Sequence, residues 1–598
     1  MNRGGAQMQT FQRIGRAPII LVLPALAVLL VVFGVPTGQL FLESLNAPNF
    51  SIQNYSSFLG QYANIRVLLQ TLEISAIATV ICLLVGYPTA YLISTASKRA
   101  RMVLIVLVVI PYLTSGLART YSWVIILGDN GLINSALMNW GLISSPLPLI
   151  YNRAAVYVGM VHIMLPMMIL PLVSVMLGIN TSLIAAAKSM GAKPTTAFWR
   201  VYFPLSMPGV RSGTLLVFVI CLGFYITPAA LGGLGDAMLS TFIASQVSTG
   251  FNMGSVSASS FVLLAIAVVM LSVFGLNLSG TQDSAPKLRK GFMERFSLLR
   301  VVKQYLNELS VASRSKQWSK ALYQAQSDGG WSRFAGSLTL TLVIFFLLFP
   351  EVVVIIMSFS SDATLQFPPS GFSLQWYGSF FGDEAWYGAA WTSIKIGLAV
   401  AGLSTVLGTL AAYGLSRIAS DIRGWLTMVI LAPITIPVIV VGVASYFGLV
   451  NLGIIGTETG IVLAHTIGAI SYVVVIVSAT LANFDRRLEQ AAKSMGARPF
   501  TAFMRVTLPL IRPGIIGGAL FAFIHSFDEV VVTSLVSGYS VRTLPLKMWE
   551  NIRNEIDPTV AAVASLLTLL PILWMIALYV TWWRARSGSQ NEVLEATA

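Results

Sequence analysis

Charge, cysteine and histidine are all scarce in this chain, and each shortage removes a class of protein. Only 10% of the 598 residues are charged, where soluble domains carry about 25%. An ordinary water-soluble enzyme is excluded on that ground. The two cysteines, Cys82 and Cys221, lie far apart in apolar runs, so there is no disulfide framework. The three histidines, His162, His465 and His525, stand singly and offer no metal-ligand spacing. No Gly-Lys dipeptide occurs, hence no phosphate-binding P-loop, and no clustered His, Asp or Glu marks a hydrolytic centre. Neither a cofactor nor a metal is called for. What is abundant is apolar: 56% hydrophobic residues and a mean hydropathy of +0.78 put the chain in lipid.

Long apolar stretches predict six transmembrane helices in the first half, at roughly 17–42, 66–95, 102–128, 154–178, 210–232 and 257–278. A second six are predicted at roughly 335–359, 390–416, 424–450, 459–482, 514–537 and 559–583. The fold class is therefore an all-α polytopic membrane protein with about 12 transmembrane helices. The first stretch follows Arg13 and Arg16 but is long, holds Pro24 and Pro36 and lacks a small-residue cleavage site. It is expected to be an anchor, not a signal peptide.

The net charge of +14 would suit a nucleic-acid binder, but its distribution excludes one. With the N-terminus inside, the inner segments carry 30 of the 37 Lys and Arg, ten of them between Lys287 and Arg333. The outer loops at 360–390 and 451–460 carry none. This positive-inside pattern predicts cytoplasmic termini and contact with anionic lipid.

Two of the inner loops repeat each other. Residues 186–210 read AAKSMGAKPTTAFWRVYFPLSMPGV and 491–515 read AAKSMGARPFTAFMRVTLPLIRPGI, identical at 17 of 25 positions at an offset of 305. Tyr91 and Tyr413 match at an offset of 322, so the halves correspond beyond the loop. An even number of spans separates the copies, which makes the repeat parallel. The expected division is 1–60 tail, first span and outer loop; 61–280 first permease-type domain; 281–333 cytoplasmic linker; 334–385 seventh span and outer loop; 386–584 second domain; 585–598 tail. The linker is expected to be partly disordered or amphipathic.

Within each copy, a short helix over Ala186–Met190 or Ala491–Met495 should stop at Gly191 or Gly496, where glycine makes a left-handed cap cheap. Pro194 and Pro499 suit the first turn of a second helix, with Phe198, Val201 and Tyr202 on one face, ended by Pro204 or Pro509. Two such helices showing an apolar knob would form a docking surface.

This pattern resembles the EAA loop of the permease subunits of binding-protein-dependent ABC importers. The resemblance implies two six-span type I permease repeats in a bacterial inner membrane. It also implies two copies of a partner ATPase and an extracytoplasmic solute-binding protein. The loop residues matched are Ala186, Ala187, Gly191 and Pro204, then Ala491, Ala492, Gly496 and Pro509; Ala185 and Gln490 stand where the family has its glutamate. Residues 119–134 (RTYSWVIILGDNGLIN) resemble the first permease subunit of spermidine/putrescine-type importers, and 526–558 resemble the second. Two subunits are thus joined in one chain. A polyamine-like cation is the implied solute, with opines, phosphonates and other small organic solutes as the subfamily's alternatives.

Charges at mid-membrane are costly and mark functional candidates. Asp528 and Glu529 fall near the middle of the predicted span 514–537, and their counterparts at offset 305 are Gly223 and Phe224, followed by Tyr225. Carboxylates facing Phe224 and Tyr225 would suit an organic cation; an ion pair with Lys395 or another basic side chain, or a span shifted so that both acids reach the outer rim, is the structural alternative. Glu73 and Lys395 match at offset 322 and could pair across the halves or snorkel separately. Arg119 and Trp123, near the outer end of the third span, read as interface anchors, with lining the pathway as the alternative for both and Trp123 kept among the pathway candidates. A twelve-span secondary transporter is the rival from another class. It leaves the duplicated loop unexplained.

Overall fold

In the computed structural model, the described residues are 18–250, 252–274, 331–364, 366–418, 420–554, 557–570 and 572–573. The expected linker and both tails lie almost wholly outside them. The first half comprises α1 (Pro18–Ser44), α2 (Gln53–Gly60), α3 (Tyr62–Thr95), α4 (Lys98–Leu113), α5 (Gly116–Leu127), α6 (Leu132–Asn139), α7 (Arg153–Leu177), α8 (Thr181–Ser189), α9 (Pro194–Leu222), α10 (Ile226–Leu231), α11 (Leu239–Ser248) and α12 (Met253–Phe274). The second comprises α13 (Trp331–Ser358), α14 (Gln375–Gly382), α15 (Glu384–Leu415), α16 (Ser420–Thr435), α17 (Val438–Asn451), α18 (Glu458–Ala482), α19 (Arg486–Ser494), α20 (Pro499–Phe527), α21 (Val531–Val536), α22 (Leu544–Asn554) and α23 (Thr559–Leu570).

The duplication runs through nearly all of this. Helices α7, α8, α9 and α10 recur as α18, α19, α20 and α21 with both ends shifted by 305, and α2 recurs as α14 at 322. The register changes because the first half inserts a longer segment, containing α6, between α5 and α7.

Among the described residues nine helices are long and apolar enough to span a bilayer, and two bent pairs bring the number to 11. The twelfth expected span is described only in its first part. Two expected spans are not straight. The stretch 102–128 bends by 90° between α4 and α5, and 424–450 by 99° between α16 and α17. Proline marks both bends: Pro111 and Pro433 lie in the last turn before them, and Pro437 caps α17. Proline supplies no N–H and pushes the residue before it out of helical geometry.

Pro204 and Pro509 do not end the short helices, contrary to expectation. The backbone widens to i→i+5 turns over Phe198–Tyr202 and Phe503–Thr507, accommodates the proline, and runs on to Leu222 and Phe527. The expected spans 210–232 and 514–537 therefore stop at those two residues.

The two halves interlock through their first spans. Val22, Ala25, Leu29 and Val32 of α1 are buried with Leu407, Ala411, Ile467 and Ile470 of the second half. Conversely Val343 and Leu347 of α13 are buried among α3 and α7 side chains of the first.

Candidate functional site

A cavity of about 590 Å³ opens between the halves, where both bent spans break. Tyr112, Gly116 and Arg119 line it from α4 and α5; Phe224 and Tyr225 follow the end of α9. Pro433, Pro437, His465, Tyr472, His525, Asp528 and Glu529 come from the second half. Four of the five expected pathway residues thus meet in one space.

Asp528 and Glu529 sit just beyond the last helical residue of α20, not in mid-helix. Asp528 reaches across the interface to the start of α5: Ser115 Oγ donates to Oδ1 (2.5 Å) and the Gly116 N–H to Oδ2 (3.1 Å). A carboxylate at a helix N-terminus meets unpaired N–H groups and the positive end of the dipole. Its counterpart Gly223 packs against Pro437 and Val438, the equivalent break of the other half, where an added Cβ would lie 3.0 Å from the Pro437 ring. One contact is electrostatic and the other is steric, at matched places. Glu529 accepts the Val532 N–H at Oε1 (2.9 Å), at the start of α21. Neither acid pairs with Lys395, which bonds Glu458 at 2.6 Å.

Three other expectations are corrected. Arg119 is buried, not an interface anchor; Nη1 donates to the Ile163 carbonyl (3.4 Å), and the side chain borders the cavity near Asp528. Trp123 is also buried but does not line the cavity, because one helical turn carries it onto His162 and Phe346, ring centroids 5.7 and 5.6 Å away. Glu73 and Lys395 do not pair across the halves. Glu73 pairs with Arg153 (3.3 Å), and Lys395 pairs with Glu458 at positions equivalent to 73 and 153, so the same link is kept with its charges exchanged.

A carboxylate overlooked in the sequence flanks the first break. Glu351 of α13 is buried and accepts from Thr114 Oγ1 (2.8 Å) and from Thr568 Oγ1 (3.1 Å). The break at 114–116 is therefore held from both sides, by Glu351 on Thr114 and Asp528 on Ser115 and Gly116.

At the opposite end of the bundle the two repeated loops have matching geometry. Gly191 and Gly496 take φ of +85° and +89°. Each glycine N–H bonds back to Lys188 or Lys493, and the next residue bonds back to Ala187 or Ala492, the double closure that ends a helix in a left-handed cap. Ala187 and Ala492 face inward, while Ala185, Ala186, Gln490, Ala491, Pro204 and Pro509 are exposed. The apolar knob is not where it was expected. Phe198 and Tyr202 turn onto Tyr91, with centroids 5.5 and 5.1 Å from its ring, because the widened turn rotates them inward. Met190 and Met495 protrude instead, more than four-fifths exposed.

The second loop has a hub that the missing motif glutamate obscured. Glu489, one position before Gln490, is buried and accepts from Tyr413 (3.1 Å), Thr507 (3.1 Å), Lys493 (2.7 Å) and Arg417. In the first copy Ile184 takes that position, and Tyr202 bonds Ser94 instead (3.2 Å). Burial alone would raise the Glu489 carboxyl. The hydrogen bond from Lys493 and the charges of Arg417 and Lys493 outweigh it and hold the group below its usual range. A depressed carboxylate adds stability that is fully present above its unfolded-state pKa and is lost as pH falls through the lower folded-state value. Glu489→Gln should cost α19 about 1–3 kcal/mol at neutral pH and remove that acid-dependent loss. Hydrogen exchange over 486–496, compared with 181–191 of the same variant, measures it: exchange should speed up in the second loop alone.

Residues 83–280 and 404–583 match the family described as binding-protein-dependent transport system inner membrane component. The spermidine/putrescine transport system permease protein PotB of Haemophilus influenzae is 35% identical over 254 residues, 42% of this chain and 87% of that protein. The putrescine transport system permease protein PotI of Escherichia coli is 35% identical over 244 residues, 39% of this chain and 86% of that protein. These two relatives match different halves. A solved bacterial ABC transporter involved in the import of the acidic polysaccharide alginate is similar over 44% of this chain and 96% of that chain, at 17% identity and a TM-score of 0.36.

Proposed function

This chain belongs to the inner-membrane components of binding-protein-dependent transport systems, and we propose that it is a fused permease, both halves in one chain, moving a polyamine-like organic cation into the cytoplasm. The observation that carries the reading is the cavity between the halves, where Asp528 and Glu529 share one space with Phe224, Tyr225 and Tyr472. Carboxylates supply charge and aromatic faces supply cation–π attraction. Arg119, on the same wall, offsets part of the negative charge and keeps a passing cation from binding too firmly to leave. The relatives PotB and PotI, named for spermidine and putrescine transport, support the same solute class.

The chain itself hydrolyses no ATP in this reading. Two copies of an ATPase dock on the loops around Gly191 and Gly496, below a membrane domain whose termini are both cytoplasmic. Their closure turns the cavity outward to meet a loaded extracytoplasmic binding protein. The breaks at 114–116 and 435–438 are the places where the walls can change angle. Membership of a binding-protein-dependent family displaces the secondary-transporter alternative. Opines and phosphonates stay as second ligands to try.

Because both halves are present in one chain, one copy should assemble with two ATPase copies and no further permease subunit. Native mass spectrometry of the purified complex, followed by uptake of labelled putrescine and spermidine into vesicles, tests the proposal. Two copies of this chain per complex would overturn the fused-permease reading. No polyamine uptake by an intact complex would move the ligand to the subfamily's other solutes.

A further inference from the structure

The duplication has another member, at the end of the bundle away from the repeated loops. Residues 50–60 (FSIQNYSSFLG) and 372–382 (FSLQWYGSFFG) are identical at seven of 11 positions, in the same register that relates Tyr91 to Tyr413. They fold alike as α2 and α14. In each, one aromatic anchor, Phe58 or Phe380, is buried. In each, the tyrosine hydroxyl is 2.8 Å from the serine ending the preceding span, Tyr55 to Ser44 and Tyr377 to Ser358. In each, three apolar side chains are turned outward: Phe50, Ile52 and Leu59 in one copy, Phe372, Leu374 and Phe381 in the other, all more than half exposed.

We propose that α2 and α14 are interfacial anchor helices, lying in the headgroup layer with these side chains inserted into the lipid. Two observations favour a lipid surface over a protein partner. First, neither 45–61 nor 363–382 contains a charged residue, so neither segment offers a water-soluble partner a salt bridge for recognition or register. Secondly, the spans that follow carry exposed apolar side chains of their own, as lipid-facing helices do. Helices α3 and α15 begin two residues after α2 and α14 end, and their exposed apolar residues recur at matched places, Leu69 with Trp391 and Leu84 with Val406. Apolar and aromatic side chains where a lipid-facing stripe meets the headgroups are what an interfacial helix requires. The Tyr–Ser bonds couple each anchor to α1 or α13, the two spans that cross to the opposite half. The anchors thereby fix the outer ends of the interlocking spans relative to the membrane plane while the helices around the cavity change angle.

Naming the outer leaflet rests on the topology proposed above, whereas immersion in lipid does not. Cys82 and Cys221 are buried, so a nitroxide on Leu59→Cys or Phe381→Cys can be placed selectively. In nanodiscs of phosphatidylethanolamine and phosphatidylglycerol, oxygen should relax either label severalfold more than a water-soluble nickel chelate does, giving a depth at the headgroup–acyl boundary. Adding the loaded binding protein should change neither mobility nor depth. Dominant access by the nickel chelate would overturn the proposal, as would immobilisation of either label by the binding protein, which would make the segments a docking surface. An impermeant reductant added outside sealed vesicles reports separately which face carries the labels, so a wrong topology and a wrong partner give different results.

Discussion

Glu529→Gln should lower polyamine uptake at least tenfold at equal membrane abundance, leaving the affinity of the separate binding protein unchanged. The substitution keeps shape and removes one negative charge from a cavity that already holds Arg119. An amine passing the break between α4 and α5 would then face Asp528 alone, itself committed to Ser115 and Gly116. Tenfold corresponds to about 1.4 kcal/mol, and a cation deprived of a carboxylate in low-dielectric surroundings loses more than that. Asp528→Asn should be as harmful for a second reason. An amide offers only one acceptor oxygen, so if Gly116 keeps its acceptor the Ser115 hydroxyl has to turn from donor to acceptor of the new NH2, and the charge-assisted hold on the helix start weakens. The double variant therefore confounds charge with hinge geometry, and the single Glu529→Gln is the cleaner measurement. Equal rates in vesicles for wild type and Glu529→Gln would show that this acid is structural.

The features legible in the sequence were those that repeat or persist over many residues. Apolar runs long enough to cross lipid, the sign of charge loop by loop, and a loop identical at 17 of 25 positions carry the architecture. Hydropathy is blind to direction, so it read through the bends at 114–116 and 435–438, although Pro111, Pro433 and Pro437 stood there as local signals. It was equally blind to burial, which is why Arg119 read as a rim residue. Glu489 was missed for a geometric reason. One residue along a helix rotates the side chain by about 100°, so Gln490, on the motif position, faces out while Glu489 faces in. Glu351 was open to the argument applied to Asp528: it is a lone acid inside an apolar span, and its partners Thr114 and Thr568 are distant in sequence. The segments 50–60 and 372–382 are too short and too polar to register as spans, and their likeness becomes plain only once the register of 322 is extended outward.

Replacing both exposed methionines, Met190→Asp with Met495→Asp, should abolish association with the ATPase while leaving the chain inserted and monodisperse. Each methionine is the last residue before the left-handed glycine, on a loop of matching geometry in both halves, and no part of the described chain covers it. A long, flexible thioether projecting from a rigid turn suits an apolar groove. An aspartate forced into that groove would have to leave water unpaired, at a cost of roughly 2 kcal/mol or more per site. Two sites lost together should remove copurification and ATP hydrolysis stimulated by loaded binding protein. Either single variant should retain one ATPase per chain. Ala185→Glu and Gln490→Glu, at exposed positions, should be tolerated, since they restore the residue that this chain lacks. Gly191→Pro with Gly496→Pro tests the turn instead of the knob: φ near +85° and +89° is closed to proline, whose ring holds φ near −65°. That pair should uncouple hydrolysis from uptake even where some ATPase still binds. Pull-down of the ATPase and uptake in the same vesicles separate the two effects. Full copurification with the Met190→Asp, Met495→Asp chain would show that the coupling contact lies elsewhere on the loops.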